Sequence, residues 1–349
     1  MIEMKFILEA ALAFLIVFVS TPAVIVACNF LKLHDTPGPL KIHARPIPRL
    51  GGVAVTAGLL TGVFVALGVK AEDALEFASC VAALAAVGIL DDLFDVSPYI
   101  RLALQIAVGI FIGAAGWGIA LTNSSVVNVL LGCAVVVFFI NAFNFLDGSD
   151  GLTAGTTAAI AIAFLVAAGP SSSAISSAIA CALLGSSLAF LVFNWPPARV
   201  FLGDSGSTVI GLSIAFLALD HIKNLATYSR PAADLFPFVV AAVPLIDAAL
   251  AIARRLAARK SPLRGDRFHG YDLLLERGFA PRAVAIAMVC ATLVSAAVGW
   301  IALRLSAAAG MVTIVAYTGL LVSVSIWLGA LPLRAPQRAD TAAHRSAAT

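Results

Sequence analysis

Residues 126–151 read VVNVLLGCAVVVFFINAFNFLDGSDG. The first part is apolar for long enough to cross a ~30 Å hydrocarbon core, which takes about 20 residues of helix. Its end turns abruptly polar. Asn141, Asn144 and Asp147 are spaced three apart, so one helical face carries all three into the interior of a bundle. Gly148 and Gly151 permit tight turning and close backbone approach to a ligand. A turn that merely ends a helix needs neither two Asn nor two Asp.

The pattern of a long apolar run closed by a polar loop recurs along the whole chain of 349 residues. Hydrophobic residues make up 61% and charged residues 12%, against roughly half and about a quarter in soluble domains. The runs predict an all-α integral membrane protein, a polytopic bundle of about eleven transmembrane helices. These cover approximately 6–31, 50–69, 74–90, 100–118, 126–146, 152–169, 173–194, 206–220, 232–255, 281–305 and 311–332. The first follows Lys5 without a small-residue cleavage site and reads as a retained span. No fixed-period repeat is visible. Residues 1–333 are expected to form one integrated transmembrane domain, and 334–349 a disordered cytoplasmic tail. All five cysteines lie singly inside apolar runs, which fits small buried side chains and not a metal or disulfide framework.

Charge sets the orientation. With the N-terminus outside and the C-terminus cytoplasmic, seventeen of the 22 Lys and Arg fall on the inner side and five on the outer, as the positive-inside rule requires. A net charge of +3 gives no reason to expect a nucleic-acid partner.

Five polar motifs fall on that same inner side. The first is His34-Asp35-Thr36-Pro37-Gly38-Pro39, continuing through Lys41, His43, Arg45 and Arg49 to Gly51-Gly52; its cations suit either simple charge sorting or contact with phosphates. The second, Asp91-Asp92-Leu93-Phe94-Asp95 with Arg101 and Gln105 beyond, places adjacent carboxylates at a span end, where a divalent ion would relieve their repulsion. The third is the Asn141–Gly151 stretch, including Asp150. The fourth runs from Asn194 through Phe201-Leu202-Gly203-Asp204-Ser205-Gly206; Asp204 is either a helix N-cap worth about 1 kcal/mol or part of an anion site at a helix start. The fifth contains Arg254-Arg255 and Asp266-Arg267-Phe268-His269-Gly270-Tyr271-Asp272, a grouping suited to a diphosphate. Carboxylates, cations and a His on one face fit metal-assisted transfer of a phosphorylated group, because Mg²⁺ favours carboxylate and phosphate oxygens.

These motifs, in this order over residues 34–280, resemble the polyprenyl-phosphate N-acetylhexosamine-1-phosphate transferases, which include the phospho-MurNAc-pentapeptide translocase. The resemblance implies transfer of a sugar-1-phosphate from a UDP-sugar to undecaprenyl phosphate, with release of UMP. It implies Mg²⁺ (or Mn²⁺) held by Asp204 with Asp91 and Asp92, and a catalytic set of Asp91, Asp92, Asp204 and His269. Asp147, Asp150 and Asn194 match nucleotide-pocket positions, with Phe201 near the uracil. Arg101 and the Lys41–Arg49 segment (Lys41, His43, Arg45, Arg49) match basic positions, while Asn141, Asn144 and Arg267 complete the expected substrate-binding set. Members commonly carry three His or HxHH in the fifth motif; here His269 alone remains, followed by Gly270-Tyr271-Asp272. That departure points away from the peptidoglycan translocase and towards initiators of O-antigen or another cell-envelope polysaccharide. The implied location is the bacterial inner membrane with the site facing the cytoplasm, and a homodimer is a possible assembly.

Asp91–Asp95 is also a literal DDxxD, the signature of intramembrane prenyltransferases, but a second Asp-rich helix is missing. A transporter would place charges near the membrane midplane, whereas here the acids cluster at span ends.

Overall fold

The computed structural model describes residues 2–37, 45–66, 68–119, 121–168, 172–225, 231–263 and 265–331. Lys41, His43 and the predicted tail lie outside these described residues. Among them are thirteen helices: α1 (Ile2–Leu31), α2 (Gly51–Val65), α3 (Ala71–Phe94), α4 (Pro98–Ala114), α5 (Ser125–Leu146), α6 (Leu152–Ala167), α7 (Ala174–Asn194), α8 (Asp204–Leu225), α9 (Pro231–Val240), α10 (Ala242–Ala257), α11 (Gly270–Glu276), α12 (Pro281–Arg304) and α13 (Ala307–Trp327). The exception to an all-helical fold is one antiparallel pair of two-residue strands, β1 (His34–Asp35) and β2 (Ile47–Pro48), with His34 opposite Pro48.

Each predicted span contains helix, but not every helix has membrane-crossing length. Seven (α1, α3, α5, α7, α8, α12 and α13) are long and apolar enough to cross by length and composition. The single run predicted over 232–255 is instead a broken pair, α9 and α10, bent by 75°. Pro244 explains the position of the break. It has no N–H to offer the carbonyl of Val240 four residues earlier, and its ring excludes that carbonyl from the helical ladder. The apolar helices α2, α4 and α6 have 15, 17 and 16 residues, about 23–26 Å at 1.5 Å per residue.

The helix expected to be shortest, 206–220, extends at both ends as α8 and is the most buried of the candidate spans. Asp220 near its far end is tolerated because it is satisfied inside the bundle, while Lys223 one turn on is exposed. Asp220 accepts hydrogen bonds from Ser173 Oγ (2.7 Å) and Ser176 Oγ (2.5 Å), and Lys223 Nζ lies 5.0 Å from the Trp117 ring centroid.

Neighbouring helices α2, α3, α5, α7 and α9 surround α8. Small residues bring backbones together where lipid supplies no hydrophobic drive between helices. A Cβ added to Gly52 would lie 2.2 Å from the Gly206 nitrogen, and one at Gly88 would lie 2.5 Å from Ser205 Cα. Both contacts are at the start of α8, so α2 and α3 fix where that helix begins. Gly88→Ala should therefore destabilise the fold by about 1–3 kcal/mol through overpacking, whereas Gly319→Ala, whose Cβ would meet nothing within 4 Å, should be neutral or slightly stabilising. Thermal unfolding in detergent checks the pair, and equal melting temperatures would refute the contact.

Candidate active site

The site is assembled around the first turn of α8. Asp92, in the last turn of α3, accepts hydrogen bonds from the backbone N–H of Asp204 at Oδ1 (3.0 Å) and of Ser205 at Oδ2 (3.2 Å). Two donors that the helix cannot satisfy internally are thereby capped by a carboxylate from another helix. Gly203 precedes them at φ +73°, and a Cβ there would lie 2.6 Å from Asp92 Oδ2. Only glycine meets both demands easily.

Asp91 faces the other way. Its Oδ2 accepts from Arg101 Nη1 at 2.5 Å, and the same nitrogen donates to Asp204 Oδ2. Asn144 Nδ2 donates to Asp204 Oδ1 at 2.7 Å and to Ser207 Oγ at 3.1 Å. Three predicted motifs thus meet at Asp204. Asn141 serves the frame, donating to Gln105 Oε1 at 2.6 Å between α5 and α4.

The loops beside this centre are stitched by backbone. Phe201 N–H donates to the Pro48 carbonyl (2.8 Å), while Gly51 and Gly52 donate to the carbonyls of Phe201 and Leu202 (2.9 and 2.8 Å). Asn194 Oδ1 accepts from Gly151 N–H and its Nδ2 donates to the Val200 carbonyl, both at 2.9 Å; Asp150 Oδ2 accepts from Ala198 N–H at 2.9 Å. Asn194 and Asp150 therefore tie the third motif to the fourth.

Two cavities adjoin across Phe201 and Asp35, which line both. The larger, about 1200 Å³, is walled by Asp147, Asp150, Asn194 and Arg45 together with apolar residues from the end of α1. The smaller, about 470 Å³, is lined by Asp91, Asp92, Asp95, Asp204, Arg101 and Arg49. At the end of α5, desolvation pushes the Asp147 carboxyl well above the usual carboxylate range, and repulsion from Asp204 and Asp92 adds to the shift.

The fifth motif lies to one side. His269 and Arg267 line neither of these cavities. Arg267 Nε is 3.5 Å from Asp272, and His269 Nδ1 donates to Asp247 Oδ2 at 2.6 Å. Asp266 receives hydrogen bonds from Arg254 and Arg255; burial opposes its ionisation, yet the two guanidiniums outweigh that and hold the carboxyl below its usual range. Burial drives the Tyr271 phenol well up, so it remains an O–H donor, to the Phe145 carbonyl at 3.3 Å. Asp247 was not among the expected residues. The signal in the sequence was a lone carboxylate inside an apolar run.

The Asp91–Asp204 pair suits a cation. Two carboxylate oxygens from different helices already share one positive group, Arg101 Nη1. Among the described residues no three His, Cys, Asp or Glu side chains gather as a metal cage. That donor set fits Mg²⁺, which takes one or two carboxylates alongside substrate phosphates.

The family model described as glycosyl transferase family 4 matches residues 74–222, the span that carries the acidic pair, the Asn-Asp run and Asp204. The decaprenyl-phosphate N-acetylglucosaminephosphotransferase of Mycobacterium leprae is 30% identical over 311 residues, covering 78% of each chain. The chain belongs to the polyprenyl-phosphate N-acetylglucosamine-1-phosphate transferase family. The undecaprenyl-phosphate alpha-N-acetylglucosaminyl 1-phosphate transferase of Escherichia coli K12 is also 30% identical, over 77% of this chain and 76% of that one. With several apolar spans, this member of the transferase family is a multi-pass membrane protein. The prenyltransferase alternative finds no support in these comparisons, and both Asp92 oxygens in its DDxxD are committed to α8.

Asp92→Asn leaves one of the buried N–H groups at the start of α8 without an acceptor, which should cost about 1–3 kcal/mol. Its melting temperature in detergent should fall further than that of Asp91→Asn. An Asp92→Asn protein as stable as wild type would remove the capping role.

Proposed function

We propose that this transferase moves N-acetylglucosamine-1-phosphate, or a closely related N-acetylhexosamine-1-phosphate, from a UDP-sugar to undecaprenyl phosphate. UMP is released, and the lipid-diphosphate-sugar begins O-antigen or another cell-envelope polysaccharide. The observation that carries this reading is the convergence of Asp91 and Asp204 on one cationic nitrogen, in a polar cavity that adjoins a larger one.

The larger cavity has room for a nucleotide sugar; small-molecule sites usually occupy roughly 300–1,000 Å³. Phe201 on the shared wall offers a ring for the base, and Asp150 and Asn194 hold the loops around it. The acceptor phosphate enters the smaller cavity beside Arg101 and Arg49. An acceptor phosphate oxygen forms a bond to the sugar-proximal phosphorus. The bond from that phosphorus to the bridging oxygen breaks, and its electron pair leaves on UMP. The acceptor is already anionic at neutral pH, so no strong base is required. The difficulty is bringing two anions together, and fixed cations lower that barrier. When bound at Asp204 and Asp91, Mg²⁺ supplies charge neutralisation of the donor diphosphate. Arg101, which lines the smaller cavity, is placed to hold phosphate oxygens, and Asn144 fixes the orientation of Asp204.

Purified protein with Mg²⁺, undecaprenyl phosphate and UDP-N-acetylglucosamine should release UMP, and chelation should stop it reversibly. Asp204→Asn should lower kcat by about 100-fold or more, the scale for losing a charge-stabilising group. Absence of UMP with any of a panel of UDP-sugars, or full activity in Asp204→Asn, would overturn the mechanism.

The same reading puts the polar end of the bundle in the cytoplasm, with eleven crossings: the seven long helices, the bent pair as one, and α2, α4 and α6. UDP-sugars are made on that side, and seventeen of 22 cations lie there by the charge count. A reporter fused after Gly265 should read cytoplasmic; a periplasmic signal would reverse the orientation.

A further inference from the structure

Asp247 stands on α10 and lines neither cavity, yet both its oxygens are engaged. Oδ2 accepts from His269 Nδ1 at 2.6 Å, and Oδ1 accepts from Gly270 N–H at 2.7 Å. One carboxylate thus grips two consecutive residues at the start of α11. The His269 ring stacks parallel to Tyr271, with centroids 5.6 Å apart, and lies 5.7 Å from Phe145. Tyr271 Oη presses on the cavity wall: a Cβ at Gly148 would lie 1.9 Å from it. Gly148 lines the large cavity between Asp147 and Ser149. A packed line therefore runs from Asp247 through His269 and Tyr271 to the donor cavity.

We propose that Asp247 is a positioning residue that seats residues 265–276 against the donor cavity, holding the Gly148 turn in place through His269 and Tyr271. The effect on the donor rests on the transferase reading above; the seating itself does not.

The chemistry of the contact makes it selective for a carboxylate. Nδ1 of His269 faces a carboxylate oxygen and therefore carries a proton, while Nε2 lies 3.4 Å from Arg255 Nη2 and 3.7 Å from Asp266 Oδ1. Arg255 in turn lies over the Phe145 ring at 4.7 Å. An Asn at 247 can still accept from Gly270 but presents N–H to His269. Two N–H groups would then face each other across what is now a 2.6 Å contact, and the imidazole must turn away. Asp247→Asn is nearly isosteric and still breaks the arrangement, whereas Asp247→Glu keeps the acceptors on a longer arm.

The test uses the full chain in detergent and two independent readouts. Hydrogen exchange of residues 265–276, followed by mass spectrometry, should rise in Asp247→Asn and in Gly148→Ala, and return part-way in Asp247→Glu. UMP-release kinetics should show the donor KM raised by about tenfold to a hundredfold in Asp247→Asn, the scale for a displaced positioning group, with a smaller change in kcat. The Asp247→Asn/His269→Gln double variant should exchange no faster than the worse single variant, because the two residues act in series. Unchanged exchange in Asp247→Asn overturns the proposal even if the transferase reading holds. A fall in kcat with donor KM unchanged, or additive exchange in the double variant, overturns it as well. Wild-type protein that makes no UMP removes the transferase reading alone, and the exchange measurements then decide the seating.

Discussion

The structure depends on one carboxylate cap. Asp92, nearly buried at the end of α3, would be costly in a membrane protein if left unpaired. The unsatisfied N–H groups at the start of α8 supply its partners, and those groups in turn could not be buried without an acceptor. Each side removes the other's penalty. The result also fixes Asp204, whose own N–H is one of the two donors. The residue best placed for chemistry is therefore located by its backbone, leaving its side chain free to face Asp91, Arg101 and Asn144.

Two adjacent acids consequently divide their work. Successive side chains on a helix point about 100° apart, so Asp91 and Asp92 cannot serve the same centre equally. Asp92 is spent on architecture, while Asp91 faces the polar cavity. The family resemblance implies a metal set of Asp204, Asp91 and Asp92. Asp204 and Asp91 share a cationic partner, whereas Asp92 has both oxygens directed at main chain. Two protein carboxylates suffice for Mg²⁺ when the remaining ligands come from phosphate and water.

Much of this was legible in the sequence because apolar length and polar spacing carry the information directly. Helix occurs within every expected span, and Asn144 and Asp204 belong to motifs that residue spacing alone picks out. What escaped notice depended on pairing across the chain. The break between α9 and α10 required weighing Pro244 against the carbonyl four residues earlier, within a run that is otherwise uniformly apolar. The far end of α8 is not visible in the sequence because Asp220 closes the expected span and Lys223 reads as a loop cation, until Ser173 and Ser176 provide partners for Asp220 and Trp117 a ring for Lys223. Asn194 and Asp150 read as pocket residues; in the structure they also bridge loops by hydrogen bonds to main chain. Asp247 has no local motif, and its meaning comes from His269, 22 residues later.

The fifth motif now has a mechanical reading. The family match spans residues 74–222, the part that holds Asp91, Asp204 and the loops around them. The departure at Tyr271 lies beyond it, in a segment joined to the centre by the Phe145 carbonyl, the Gly148 turn and the Asp247 grip. A Tyr side chain reaches Gly148 with its hydroxyl and leaves no space for a Cβ there. The segment that carries His269 lines neither cavity. In place of the expected His cluster stands Tyr271, which backs the wall of the larger cavity at Gly148 while the acids on α3 and α8 lie elsewhere.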